Sequence, residues 1–423
     1  MPHIPGRRAV LAAGGSIALL LGSTPGTAVA PLTGTPAPGS TAATACAPEA
    51  PTGLAEGLTE TIGATPGFTD ATGTVSALTV FIDFPDAEAE ISTRERFAEF
   101  FPETAEHFAA SSYGRLDYRA VPVHRWLRMS QPFEDYGIDR GAGWRPDDDQ
   151  GYNRLLHEIV DALADDPDFP GFGDHDLINV LATPNAGPPA TEQVLSVTFP
   201  GRDLVPTPDG GALRDVSFIW SHQPGDPYRV LLHENGHVFG LPDLYWTDHA
   251  PAPDTLAGHW DVMEQDWGPG NDFLAWHKWK LGWLAADQVD CVAEATTTEH
   301  VLTPVGTPGT EGTRLVAVRT GEHEALAIEV RAPGGLDDVV CRPGVLVSRI
   351  STETASGLGP VRVADATPGS AGCQPTPDPQ VTAELTDAPF VPGETFRDRD
   401  ARVSVHVLDA DDAGRHRIRV TRW

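Results

Sequence analysis

Apolar and polar positions change period several times along the chain, and each change predicts an element. From Val75 to Phe84 a β-branched and aromatic run reads as a buried strand. Phe97, Phe100, Phe101, Phe108 and Tyr113 follow in helical material that ends at Gly114. Leu116 to Met129 alternates loosely, which predicts a pair of strands. Tyr152, Leu155, Leu156, Ile159, Val160 and Leu163 fall at helix spacing, so one amphipathic helix is expected there. Leu177–Leu181, Val194–Phe199 and Val216–Trp220 read as further strands. A second helix is expected before Gly240, with Asp226 as N-cap and Pro227 in the first helical position. Val230, Leu231, Val238 and Phe239 anchor it; Gly240 can take φ > 0 and Pro242 stops its continuation. This order is α/β with a mixed sheet. Beyond about Thr296 the texture changes to short alternating strands: Arg314–Thr320, Ala325–Arg331, Gly344–Ile350, Val361–Ala364, Val403–Leu408 and Arg415–Trp423. Gly, Pro and Asp separate them, which predicts a β-sandwich-like C-terminal domain over 296–423.

The N-terminus reads as a secretory signal peptide over residues 1–30. Arg7-Arg8 precedes an apolar run from Ala9 to Leu21, and Ala28-Val29-Ala30 supplies small residues for cleavage, although Pro31 would hinder cutting there. Residues 31–70, rich in Pro, Gly, Thr and Ala, read as a linker or short pro-segment. No later segment approaches the length of a membrane span. A net charge of −31 over 423 residues excludes nucleic acid as a partner and suits a soluble extracellular protein. Lys278 and Lys280 are the only lysines, which reads as coding bias. Cys46, Cys291, Cys341 and Cys373 allow three pairings; Cys341–Cys373 and Cys46–Cys291 are favoured, with a metal-blocking Cys46 thiolate as the alternative.

The chemistry lies in Leu232-His233-Glu234-Asn235-Gly236-His237-Val238-Phe239-Gly240-Leu241-Pro242-Asp243. Two histidines four apart project from one face of a helix and can bind one ion, and neutral imidazole suits Zn²⁺. Glu234 lies roughly 100° around the helix from His233, where a base can take a proton from a metal-bound water. His157-Glu158 and His323-Glu324 begin the same pattern, but Asp161 and Ala327 stand where the second histidine should be. The chain reverses after His237, so Asp243 can return as third ligand; a turn carboxylate bonded to its own backbone is the plainer alternative.

This run resembles the active-site segment of the immune inhibitor A family of secreted bacterial zinc metallopeptidases. Gly258-His259-Trp260-Asp261-Val262-Met263 resembles that family's Gly-x-Trp-Asp-Leu-Met element, and Leu274 to Trp283 its Ser-Ala-Trp-x-Lys-x-x-Leu-Gly-Trp stretch. Val80-Phe81-Ile82-Asp83-Phe84-Pro85-Asp86 and Ser111-Ser112-Tyr113-Gly114-Arg115-Leu116 match earlier blocks, so the likeness spans roughly residues 75–290. It implies a zincin-like catalytic domain over 71–295, a zinc endopeptidase activity, Met263 in a tight turn beneath the metal, and structural Ca²⁺. Glu264 departs from the family's serine after the methionine. It competes with Asp243 as third ligand or is a solvated acid on a mobile loop.

The expectation is therefore a secreted, monomeric endopeptidase acting on protein or peptide substrates, with His233, His237 and Asp243 holding zinc and Glu234 as general base. Tyr245 and His259 are candidate transition-state donors. Trp260, Trp267, Trp276, Trp279 and Trp283 read as core around the methionine turn. An edge strand over the metal helix, Val194–Phe199 or Val216–Trp220, would pair with substrate. Acid clusters at Asp147–Asp149, Asp174–Asp176 and Asp409–Asp412 read as solvated loop charge or Ca²⁺ ligands. The rival functions are an aminopeptidase or other zinc hydrolase, and a secreted binding protein with a vestigial metal site.

Overall fold

The computed structural model describes residues 43–52, 58–138, 143–166, 169, 171–186, 195–220, 226–266, 270–376 and 382–423. The signal peptide, Val194 and Trp267 lie outside the described residues.

The described residues are mixed α/β with three sheets. In order they form β1 (Gly73–Asp83), α1 (Thr93–Phe97), α2 (Glu103–Ser111), β2 (Leu116–Arg128), α3 (Gly151–Ala164), β3 (Leu177–Ala182), β4 (Val197–Pro206), β5 (Ala212–Ile219), α4 (Tyr228–Val238) and α5 (Ala275–Lys280). Then come β6 (Val289–Val292), β7 (Thr296–Leu302), β8 (Leu315–Arg319), β9 (Glu324–Arg331), β10 (Gly344–Ser351), β11 (Val361–Val363), β12 (Thr395–Asp398), β13 (Val403–Ala410) and β14 (His416–Arg422).

The first sheet has the order β2-β1-β3-β5-β4. Its first four strands run parallel and β4 runs antiparallel at the edge. Period-two alternation in β1 sends Val75, Ala77 and Phe81 to one buried cluster and Leu78, Val80 and Ile82 to another. A strand buried on both faces reads as a continuous apolar run, as β1 does. Leu155, Leu156, Ile159, Val160 and Leu163 of α3 cover the second face. Helices α2, α4 and α5 contribute to the core on the first.

The expected strand pair over Leu116–Met129 is a single strand, β2. Its register against β1 shifts between Thr79 and Phe81, next to Pro122. Pro122 has no N–H to give a ladder, which an edge position tolerates. That interruption imitated a turn in the sequence.

The second sheet has the order β11-β10-β9-β8-β6 and the third β12-β13-β14-β7. Alternation again sorts side chains: Leu315, Ala317, Ala325, Ala327 and Leu346 join the cluster that holds α4, while Val316, Val318, Leu326, Ile328 and Val345 meet Val403, Val405, Ile418 and Val420 of the third sheet. One continuous core therefore links the metal-motif helix to the β-rich region.

Cys46 pairs with Cys291 and Cys341 with Cys373, leaving no free cysteine. The Pro- and Gly-rich stretch before β1 contributes a fully buried Glu60, whose Oε1 meets His277 Nε2 at 3.2 Å. Among the described residues no helix is long and apolar enough to cross a membrane.

Candidate metal centre

Helix α4 is buried from Arg229 to Val238, so its polar side chains point at partners rather than water. Pro227 rather than Asp226 occupies the cap position, and no side chain caps the helix; the Asp226 carbonyl accepts from Arg229 N instead. The proline is already helical there, with φ −62° and ψ −23°, so the first turn closes on backbone carbonyls. At the other end Gly240 adopts φ +87° and donates to His237 O, while Leu241 N donates to Gly236 O. These two bonds form a Schellman C-cap and turn the chain back toward the histidine face.

Both imidazoles are fixed through the same ring atom. His233 Nδ1 lies 3.0 Å from Val262 O and His237 Nδ1 lies 2.8 Å from Leu241 O. A carbonyl accepts only, so each Nδ1 carries the hydrogen, and in the neutral ring each Nε2 keeps its lone pair. The two Nε2 atoms stand 3.1 and 3.2 Å from Asp243 Oδ1. One donor atom from each residue lies within 4.8 Å of the others, and this is the only such group among the described residues.

The electrostatics ask for positive charge between the three. Burial disfavours a charged His233, yet the Asp243 carboxylate outweighs it and lifts the imidazole to about 10. His237 is raised in the same way. Burial alone would raise Asp243, but the two imidazoles hold it well below the usual carboxylate range. A divalent cation would meet that demand while both rings stay neutral, so these three side chains are the candidate ligands of one ion.

Glu234 faces β4. Its Oε2 accepts from Thr198 Oγ1 at 2.7 Å, and burial raises its pKa against the opposing pull of His233 and His237. Thr198 Oγ1 also contacts Ser217 Oγ at 2.8 Å. Asn235 points the other way, into the sheet. Its Nδ2 donates to Ser217 Oγ and Asn179 Oδ1, and its Oδ1 accepts from Tyr118. This closed polar network fixes the rotation of α4 about its axis. Neither Asn235 nor Thr198 stood out in the sequence. A polar residue between the two histidines of a fully buried helix was the available signal.

Tyr245 stacks on His233 with ring centroids 6.0 Å apart. Burial and the nearby Asp243 and Glu234 carboxylates raise its pKa, so the phenol keeps its proton. His259 is buried against Trp260, and burial together with Arg331 and Arg229 pushes it down to about 3. Met263 is fully buried beneath α4. Asp261 builds its turn, accepting from Met263 N through Oδ1 and from Leu274 N and His277 Nδ1 through Oδ2. The second and third sequence blocks thus meet through one carboxylate. Trp260, Trp276, Trp279 and Trp283 are buried around them.

Glu264 is neither solvated nor a member of the donor group. It is 3% exposed and its Oε2 accepts from Ala257 N at 3.3 Å. The turn that carries Met263 folds this neighbour inward, which a single sequence does not reveal. The acid clusters form no donor group among the described residues. Asp176 accepts from Ser76 N, and Asp409 and Asp411 pair with Arg417 and Arg415. Of the incomplete His-Glu pairs, Glu158 accepts from Ser130 and Tyr136, and His323 bonds the Glu49 carbonyl.

No family model matches this chain, and no curated protein matches it.

Proposed function

We propose that the chain is a secreted zinc-dependent endopeptidase of the immune inhibitor A kind, with a zincin-like catalytic region followed by a β-sandwich-like one. The observation that carries this reading is the pair of imidazoles whose Nδ1 atoms are spent on backbone carbonyls while both Nε2 atoms converge on Asp243. His233, His237 and Asp243 would hold the ion, which supplies Lewis acidity and a water acidic enough to ionise near neutral pH.

The remaining work falls to this chain's own side chains. Glu234, buried and raised, accepts the proton of the attacking water at its carboxylate and returns it to the leaving amine. Thr198 holds one carboxylate oxygen, which fixes the other for that transfer. Tyr245 keeps its proton and donates to the oxyanion as it develops. Among the described residues strand β4 is an edge of the first sheet, beside Glu234, where a substrate could add as a further strand. A cleft of about 400 Å³ lined by Leu58, Phe68, Trp144, Thr198 and Arg202 lies along the same strand and gives a substrate side chain somewhere to bind. Two disulfides suit an oxidising, extracellular setting.

The test is hydrolysis of a peptide blocked at both ends. An endopeptidase cleaves it, a zinc chelator stops cleavage and added zinc restores it. Cleavage of free-amine peptides alone would move the assignment to an aminopeptidase, and no cleavage of either would favour a binding protein.

A further inference from the structure

Asp243 is not held by its own turn alone. While Oδ1 faces the two imidazoles, Oδ2 accepts from Ser356 Oγ at 3.1 Å, and the same hydroxyl accepts from Asp243 N at 2.9 Å. Gly357 N donates to Asp243 O at 3.0 Å. Three hydrogen bonds on one residue therefore come from two consecutive positions in the loop between β10 and β11. Ser356 lies 113 residues downstream of the carboxylate it touches.

That loop is itself clamped to the strand of chain leaving the site. Thr247 donates to Gly357 O through both N, at 2.8 Å, and Oγ1, at 2.9 Å, and Trp246 bridges Leu358. Gly357 has φ +75°, and a Cβ there would lie 2.6 Å from Thr247 Oγ1, so the approach requires glycine. A carboxylate with one oxygen tied to a donor presents the other in a fixed direction. Partners of this kind orient metal ligands and set affinity.

Resting on the metal-hydrolase reading above, we propose that Ser356 is a positioning residue of the metal centre. It commits one oxygen of Asp243 and aims the other at the imidazoles, which makes the β-rich region part of the site. Both capacities of the Ser356 hydroxyl, one proton given and one lone pair used, go to the same residue. A serine that only tied two loops together would not need to engage the carboxylate.

The experiment is zinc affinity by competition with a chromogenic chelator, for the full chain, in wild type, Ser356→Ala and Ser356→Thr. Ser356→Ala should bind zinc about 10–100-fold more weakly, and Ser356→Thr, which keeps the hydroxyl, should stay within about threefold of wild type. The same Ser356→Ala change is then made on an Asp243→Ala background. If Ser356 acts through Asp243, it has no further effect there. An equal loss on both backgrounds would mean a general structural defect and overturn the proposal, as would unchanged affinity in Ser356→Ala alone. Failure of the wild type to take up zinc would instead strike at the metal reading itself.

Discussion

Met263 fills the space that a side chain at position 236 would need. A Cβ built on Gly236 would lie 2.5 Å from Met263 Sδ and 3.3 Å from its Cε, inside a fully buried contact. The glycine between the motif's histidines is thus set by packing against the turn below. That turn also supplies the Val262 carbonyl that fixes His233.

Gly236→Ala should therefore destabilise the protein by about 1–3 kcal/mol despite the helix-favouring change, because overpacking outweighs propensity. Met263→Ala leaves a cavity by itself but should recover part of the loss when combined with Gly236→Ala. Urea denaturation of the two single variants and the double variant checks this. Strictly additive losses would show that the two residues do not compete for one space.

Thr198→Val removes the donor to Glu234 while keeping the size of the side chain. Turnover of a blocked peptide should fall about tenfold, the equivalent of roughly 1.4 kcal/mol, with zinc content unchanged. Full turnover in this variant would mean that Thr198 does not orient the base.

His277 gives the pH dependence. Burial opposes its charge, but Asp261 and Glu60, which it bridges at 2.8 and 3.2 Å, raise its pKa from 6.5 to about 10. A raised folded-state pKa contributes stability that is fully present below 6.5 and is lost as pH rises through about 10. Lys280, lowered by burial to about 8, works in the opposite direction over part of that window. The comparison is therefore wild type against His277→Gln, which retains Lys280. The stability gap between them should narrow between pH 6.5 and 10, measured by urea unfolding at a series of pH values. A constant gap would mean that His277 is neutral in the folded protein.

How far the sequence revealed this arrangement depended on whether a feature was local. The two histidines, Glu234 and the returning Asp243 sit within eleven consecutive residues, and helix geometry plus one glycine brings them together. The alternating runs of β8, β9 and β10 were equally plain. What escaped was set by distant packing. Glu264 looked like a loop acid because burial of a turn neighbour leaves no local mark, and Pro122 hid a continuous edge strand. Ser356 lies in no motif and meets Asp243 only because the β10–β11 loop folds back. Glu60 was lost in a Pro- and Gly-rich stretch although it is buried against His277. One overlooked signal was compositional. In a chain that otherwise uses arginine, its only two lysines, Lys278 and Lys280, are both buried in α5, where Lys278 meets Asp272 at 2.5 Å and Lys280 the Thr61 carbonyl at 2.9 Å.

The most direct test compares Glu234→Ala with the wild type in a single preparation, measuring zinc per chain after dialysis and cleavage of an end-blocked peptide. One zinc is expected in each protein, with cleavage by the wild type and a rate lower by about 10²–10⁴-fold in the variant, since the proposed base is removed and every proposed ligand remains. Near-wild-type cleavage by Glu234→Ala, or cleavage by a wild-type protein that holds no zinc, would contradict the proposed mechanism.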